Sequence, residues 1–412
     1  MGRAGIVIIG GGQGGYQVAA SLRDDGYQGS ITLVGEEPGV PYQRPPLSKG
    51  YLAGKTPAQE LALRSECFYP GRDITLLCGQ RAVCVERVAR RVVLASGEVL
   101  SYTHLVLATG ARARQLRVEG AGLDNILPLR SHADAQAIHE RLQAAHRVVV
   151  VGAGFIGLEV AVVARAMGRE VHVIEFADRA LKRSVSKEVA DFLVEAQAKR
   201  GVAFSFSTGV ASLLGENGKV VAVATSAGAT IPADLVVVGV GVEPNVELAG
   251  NAGLQVDDGI LVDAQLLTSD PAISAIGDCA RFPAAFSPTP VRLESVQNAV
   301  DQARFVAARL AEKSAPDARY DKLPWFWSDQ GEYRLQIAGV CATDDDAVLR
   351  GDVSQGKFSV LRFRGERLTA VESINNAADH MAARKLLTEA AIVSRSLAAN
   401  ASLKLSAAVC PA

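Results

Sequence analysis

Two glycine runs share one spacing. Gly10-Gly11-Gly12-Gln13-Gly14-Gly15 fits G-x-G-x-x-G at Gly10, Gly12 and Gly15, with Gly14 beside the last, and Gly152-Ala153-Gly154-Phe155-Ile156-Gly157 fits it at Gly152, Gly154 and Gly157. Each run follows a short apolar segment, 6–9 or 148–151, and opens a stretch with apolar residues at helical spacing. The chemistry this suits is phosphate recognition. The first glycine makes a tight turn, the second lets backbone approach a pyrophosphate, and the third lets the helix pack on the strand. The helix N-terminus adds N–H donors and the positive end of its dipole. An acid closes each unit after the next apolar run: Glu36 after 31–34 and Glu175 after 171–174. A carboxylate there accepts from ribose hydroxyls and repels a 2′-phosphate. Glu175 therefore favours NADH over NADPH, with Arg179 and Arg183 close enough in sequence to offset part of that repulsion. Two full fingerprints imply two dinucleotides, one held and one exchanging.

Other residues invite chemistry one at a time, and each has a plainer reading. Gly277-Asp278 ends an apolar run, where a carboxylate accepts from hydroxyls or simply caps a helix. Lys49 follows the stiff stretch Arg44-Pro45-Pro46, and lysines are most often just exposed. Glu159 is an acid inside an otherwise apolar helical stretch, which is costly unless it is paired, and structural pairs of that kind occur. Trp325 and Trp327 are the only tryptophans. Two apart on a strand, they share a face, and core packing is the ordinary use of such rings.

Several segments together resemble the FAD-dependent, NADH-using ferredoxin reductases of the putidaredoxin reductase type, within the glutathione-reductase-like flavoprotein superfamily. They are Tyr42-Gln43-Arg44-Pro45-Pro46-Leu47-Ser48-Lys49, Leu105-Val106-Leu107-Ala108-Thr109-Gly110, the run from Thr268 to Gly277-Asp278, Glu294-Ser295-Val296-Gln297-Asn298-Ala299 and Trp325-Phe326-Trp327-Ser328-Asp329-Gln330. The resemblance spans nearly the whole chain. It implies tightly bound FAD and exchanging NADH, with hydride passing to flavin N5 and single electrons leaving to a [2Fe–2S] ferredoxin. That ferredoxin would serve a cytochrome P450 or a ring-hydroxylating oxygenase. It further implies that Lys49 lies near N5 with Glu159 within its reach and near the nicotinamide, that Asp278 binds the ribityl chain, and that Arg44, Pro45, Thr109, Gly110, Glu294, Ser295 and Val296 line the flavin. Arg130 and Ala82 match positions on the adenine side of FAD. Trp325 and Trp327 match a segment against the ring that shields it or helps electrons leave, and Arg304 resembles an arginine at the ferredoxin-docking surface. Other acceptors stay open: rubredoxin, a nitrite reductase, monodehydroascorbate or oxygen, as does a slow-turnover redox-sensing flavoprotein. Thiol chemistry needs a thiolate beside the flavin, and no Cys occurs between residues 1 and 66.

The elements that must position these residues follow from pattern. Apolar runs at 6–9, 31–34, 105–108, 148–151, 171–174 and 235–238 suit strands buried on both faces of a parallel sheet. With helices between them they make βαβ units at 4–36 and 147–175. The expected fold is α/β: two Rossmann-like domains for FAD and NAD plus a small C-terminal α+β domain. The expected boundaries are 1–112 and 244–318 for FAD, 113–243 for NADH and 319–412 for the last domain. In that last domain, alternating segments at 334–340, 347–350, 358–363 and 368–373 predict an antiparallel sheet, followed by a helix over 376–387. Asp344-Asp345-Asp346 reads as a solvated turn and the tail from Ser394 as poorly ordered.

Composition bounds the rest. Lys and Arg number 43 against 44 Asp and Glu, so the basic excess usual for nucleic-acid binding is missing. Six scattered Cys show no C-x-x-C pair and no zinc-ligand spacing, which predicts no metal site and no cluster of the chain's own. No signal peptide and no membrane-spanning run are visible, so a soluble cytoplasmic protein is expected.

Overall fold

The computed structural model describes residues 5–409. These fall into two compact units: 5–43, 58–112 and 242–322 form one, and 44–57, 113–241 and 323–409 form the other. The segment 44–57 thus groups with the second fingerprint rather than the first, and so does the C-terminal sheet.

In the first unit the order of strands is Ile74–Leu77, Ile31–Val34, Gly5–Ile9, Val99–Leu107, Arg91–Leu94, Ala82–Glu86. Ile273–Ala275 lies parallel to the end of Val99–Leu107, on the other side from Gly5–Ile9. The Val, Ile and Leu side chains of Gly5–Ile9 and Ile31–Val34 are buried, as strands covered on both faces require. Helix Gln13–Asp24 packs beside helix Val296–Leu310. Inside this core, Arg309 donates to Ser274 Oγ (2.6 Å), and Ser274 Oγ lies 2.9 Å from His104 Nε2. Burial, reinforced by the Arg309 charge, pushes the His104 imidazole down to about 3, so the ring is neutral.

The second unit carries a parallel sheet in the order Val202–Ser205, Glu170–Ile174, Arg147–Val151, Leu235–Val238, Ile126–Pro128. Helices Phe155–Ala166 and Lys187–Lys199 belong to it, and a three-stranded antiparallel sheet spans Val210–Glu216, Lys219–Thr225 and Thr230–Pro232. Its C-terminal part is an antiparallel sheet in the order Trp325–Gln330, Tyr333–Gly339, Arg367–Ile374, Lys357–Arg364, Asp346–Asp352, followed by helix Ala377–Thr388. The α/β class and the C-terminal α+β part are as the sequence pattern predicts.

Two expectations fail in the C-terminal part. Asp345 is not in a solvated turn: it is 7% exposed and accepts from Arg364 Nε (2.8 Å), Thr369 Oγ1 (2.8 Å) and the Ala342 N–H (3.0 Å). Those donors, the Arg364 guanidinium first among them, hold its carboxyl below the usual range against the opposing effect of burial. The tail is also ordered through residue 409. Ala398, Leu405 and Ala408 are buried, Val393 bridges Val409, and the Arg350 guanidinium donates to the carbonyls of Ala398, Asn400 and Leu403. One buried cation thus replaces the ladder partners that an Ala- and Ser-rich segment lacks. Cys410 lies outside the described residues.

Candidate functional site

The first fingerprint is shaped by steric necessity. Gly10 has φ +120°, and a Cβ there would stand 2.0 Å from the Ala108 carbonyl oxygen; one at Gly15 would stand 2.0 Å from the Gly10 oxygen. Gly12 differs. It is the N-cap of helix Gln13–Asp24, no side chain caps that helix, and a Cβ there would meet nothing within 4 Å. A helix start with no side-chain cap and room beside its N-cap suits a diphosphate. Glu36 is exposed, two residues past Val34, and pairs with Arg81 at 3.6 Å.

The rest of the expected FAD set in this unit clusters at strand ends and one helix start. Thr109 Oγ1 donates to the Asn245 carbonyl (2.8 Å), and Gly110 has φ +65°. Gly277, with φ +71°, donates its N–H to Gln302 Oε1 (2.7 Å), and half-buried Asp278 follows in the turn Gly277–Cys279. Ser295 caps helix Val296–Leu310 by accepting from the Asn298 N–H, with exposed Glu294 just before it and half-buried Val296 as its first residue. Glu294 is ion-paired with Arg292. Ala82 begins the strand Ala82–Glu86, and Arg304 is exposed on helix Val296–Leu310. Cys279 is fully buried, which pushes its thiol up and keeps it unreactive.

In the second unit Gly152 has φ +104° with a Cβ position 2.4 Å from the Gly239 oxygen, and a Cβ at Gly157 would stand 2.0 Å from the Gly152 oxygen. Gly154 is again an N-cap without a side-chain cap and with open space above it. Ile156 is 42% exposed at this helix start, beside half-buried Phe155. Glu175 is held from both ends: Oε2 accepts from the Ala153 N–H (2.7 Å) and Oε1 from the Ala177 N–H (2.7 Å). Each oxygen keeps a lone pair for a ribose hydroxyl. The Arg179 guanidinium donates to the carbonyls of Ala180, Lys182 and Val185.

The same unit brings Lys49 and Glu159 together. Lys49 Nζ lies 2.7 Å from Glu159 Oε2 and 3.3 Å from the Pro45 carbonyl oxygen, with Glu159 3% exposed and Lys49 22%. Ser48 Oγ donates to the same oxygen at 2.5 Å, and Ser328 Oγ donates to Glu159 Oε1 at 2.5 Å. Arg44 donates to the Arg130 carbonyl (2.7 Å), which ties the Arg44-Pro45-Pro46 stretch to the residues before helix His132–Ala144. Trp325 and Trp327 share a face of their strand with ring centroids 5.6 Å apart, and the Arg384 guanidinium sits 4.9 Å from the Trp325 ring centre. The first-unit residues and Lys49, Arg44, Pro45, Arg130, Trp325 and Trp327 therefore belong to different compact units. Sequence reasoning missed Ser48, Ser328, Gln330 and Gln197 around Glu159, although Ser48 and the Trp-Ser-Asp-Gln run lie inside the quoted segments.

Comparison with known proteins decides what this architecture is. The pyridine nucleotide-disulphide oxidoreductase family matches residues 4–303, and the reductase C-terminal family matches 325–409. The chain belongs to the pyridine nucleotide-disulphide oxidoreductase family. Membership carries use of FAD and NAD(P), and the two uncapped helix starts fit two diphosphates. Among relatives, rhodocoxin reductase of Rhodococcus erythropolis is 50% identical over 382 residues, covering 93% of this chain and 89% of its own length. The crystal structure of the ferredoxin reductase for the CYP199A2 system of Rhodopseudomonas palustris superimposes with a TM-score of 0.96 at 45% identity, covering 99% of this chain and 100% of that one. A covalent putidaredoxin reductase–putidaredoxin complex gives 0.95 at 40%, with 99% of each chain covered. The five cysteines among the described residues are all free. Among the described residues no helix is long and apolar enough to cross a membrane.

Proposed function

We propose that this chain is an NADH-dependent reductase of a [2Fe–2S] ferredoxin in a cytochrome P450 or ring-hydroxylating oxygenase system. The observation that carries the reading is the end-to-end match, at 45% identity, to a ferredoxin reductase of known structure. Bound FAD supplies the chemistry, accepting hydride from NADH and releasing electrons one at a time. The chain's own residues bind and orient. The first unit holds FAD tightly through the Gly10–Gly15 turn, Glu36 and Asp278; the second holds NADH through the Gly152–Gly157 turn and Glu175. The fixed Glu175 carboxylate, with Arg179 committed to backbone carbonyls, supports NADH over NADPH. Lys49, anchored by Glu159, holds one fixed positive charge in the second unit. Exposed Arg304 offers a contact for an acidic ferredoxin. No group of three or more His, Cys, Asp or Glu among the described residues is placed to hold a metal ion, so this reading gives the iron–sulfur cluster to the partner. Free thiols throughout the described residues suit the cytoplasm.

The test is NADH-driven cytochrome c reduction with and without added [2Fe–2S] ferredoxin, on protein whose FAD is confirmed by its spectrum. A large ferredoxin-dependent increase supports the proposal. Fast ferricyanide reduction with no ferredoxin effect overturns the acceptor and directs the assay to rubredoxin and oxygen.

A further inference from the structure

Glu159 is the end of a longer chain of donors. On strand Trp325–Gln330, the residues Phe326, Ser328 and Gln330 alternate with Trp325 and Trp327, so the two sets point to opposite faces. The even set faces helix Phe155–Ala166: the Phe326 and Phe155 rings lie 4.6 Å apart, and Gln330 Nε2 reaches the Phe155 carbonyl at 3.3 Å. Gln330 Nε2 also donates to Ser328 Oγ at 2.8 Å, and Gln330 Oε1 accepts from Gln197 Nε2 at 3.1 Å. Gln197 Nε2 in turn reaches the Leu158 carbonyl at 3.4 Å. Ser328, Gln330 and Gln197 are 0%, 1% and 3% exposed.

The direction of this chain is fixed by chemistry. The Phe155 and Leu158 carbonyls only accept, so each glutamine must turn its NH2 toward that helix. Gln197 therefore donates to Gln330, and Gln330 donates to Ser328. The Ser328 hydroxyl, its oxygen engaged by Gln330, has its one proton left for Glu159 Oε1. Along the line Gln197, Gln330, Ser328 each donor is turned toward the carboxylate, and aligned hydrogen bonds of this kind reinforce one another. Glu159 Oε1 is thereby claimed by the C-terminal sheet, which leaves Oε2 for Lys49 and Ser48.

We infer that Ser328, oriented by Gln330 and Gln197, is a positioning residue for the Lys49–Glu159 pair: it fixes the carboxylate so that one chosen oxygen holds the lysine. Ser328 then contributes to hydride transfer through Glu159, without touching the reacting atoms itself. The inference rests on the proposed NADH–FAD reaction and deepens it.

The experiment compares Ser328→Ala, Ser328→Thr and Gln330→Leu holoenzymes by stopped-flow reduction of the flavin with NADH, calorimetric NAD+ binding and thermal melting. Ser328→Ala is expected to slow flavin reduction about tenfold, the rate equivalent of one hydrogen bond to a charged group. NAD+ affinity should stay close to wild type, while the melting temperature should fall, because Glu159 Oε1 and Gln330 Nε2 each lose a buried partner. Ser328→Thr keeps the hydroxyl and should recover most of the rate, and Gln330→Leu should give a smaller loss in the same direction. Added to Glu159→Gln, Ser328→Ala should cost nothing further, because the group it acts through is already altered. Equal rates for Ser328→Ala and wild type, or additive losses with Glu159→Gln, overturn the inference. If Ser328→Ala does not fold, Gln330→Leu and Ser328→Thr carry the test by the same criteria. Wild-type flavin that NADH does not reduce overturns the underlying functional reading instead.

Discussion

The two fingerprint helices start from the same glycine spacing, and two differences between their units bear on chemistry. Two residues past the last glycine, the first helix has Gln17, which donates to Ser21 of its own helix at 2.9 Å. The second has Glu159, which binds Ser48, Lys49 and Ser328 from two distant segments. The acids differ as well. Ile9 pairs with Val34 and Val151 with Ile174, so Gly35 stands where Glu175 stands and Glu36 is one residue further on. Gly35 lets backbone close against Gly11, where an added Cβ would come within 3.1 Å of it, whereas Glu175 reaches back to the Ala153 N–H. The duplicated glycines explain phosphate binding in both units. Specialisation sits in single residues outside the fingerprint.

Four experiments break or sharpen that contrast. The largest effect belongs to the shared steric positions. Gly10→Ala and Gly152→Ala each combine a positive φ with a Cβ against a carbonyl oxygen, a strain of about 1–3 kcal/mol before the clash is counted. Gly10→Ala should leave protein without FAD. Gly152→Ala should keep FAD and lose NAD+ binding in a calorimetric titration. Loss of the same nucleotide from both variants would abolish the division of labour.

Next comes the divergent helix position. Glu159→Gln should slow flavin reduction by NADH by about ten- to a hundredfold, as expected for a hydrogen bond to a charged group. Gln17→Ala, its counterpart, should not change that rate. Equal losses in a stopped-flow comparison would mean that the position matters only for packing.

Acid should then weaken both units, each through a buried neutral histidine. Burial, with the Arg309 charge, pushes His104 down to about 3, and burial, with the Arg384 and Arg334 charges, pushes His380 down to about 4. The folded protein therefore binds fewer protons than the unfolded chain between those values and about 6.5, the unperturbed histidine value. Stability is full above 6.5 and falls with pH, by up to about 1.4 kcal/mol per pH unit per histidine, down to about 3 for His104 and about 4 for His380. Thermal melts at pH 7.5 and 5.0 should show a smaller difference for His104→Gln than for wild type; an undiminished difference would remove His104 as a cause.

The smallest effect is at the ribose acid. Glu175→Ala should weaken NADH binding about five- to tenfold, the scale of one net hydrogen bond, with NADPH binding unchanged or improved. An unaltered preference between the two would take Glu175 out of the ribose role.

What the sequence made legible divides along the same line. Glycine spacing, apolar runs and acids at strand ends depend on local geometry, so three strands of each parallel sheet, both turns and four of the C-terminal strands could be read from near neighbours, whereas less regular strands such as Ile74–Leu77, Val202–Ser205 and the sheet over Val210–Glu216, Lys219–Thr225 and Thr230–Pro232 could not. The partners of Glu159 could not. Ser328 lies 169 residues away and Gln197 lies 39 away from Leu158, and serine and glutamine are too common for their type to signal a role. Asp345 and Arg350 were hidden for a related reason. Their burial is decided by donors and carbonyls gathered from separate strands and turns, which no local pattern encodes.

The late arrival of Ile273–Ala275 beside Val99–Leu107 has a consequence for synthesis. The ribosome finishes Leu107 about 170 residues before it delivers that last strand, which at 5–20 residues per second is a wait of roughly 10–35 s. Through that interval the backbone of Leu105, Val106 and Leu107 faces outward with hydrogen-bonding groups unmatched on one side, an invitation to strand-swapping with a neighbouring polypeptide. Only the chain's own later strand closes that edge, so slowing translation between these two points lengthens the time it stays open.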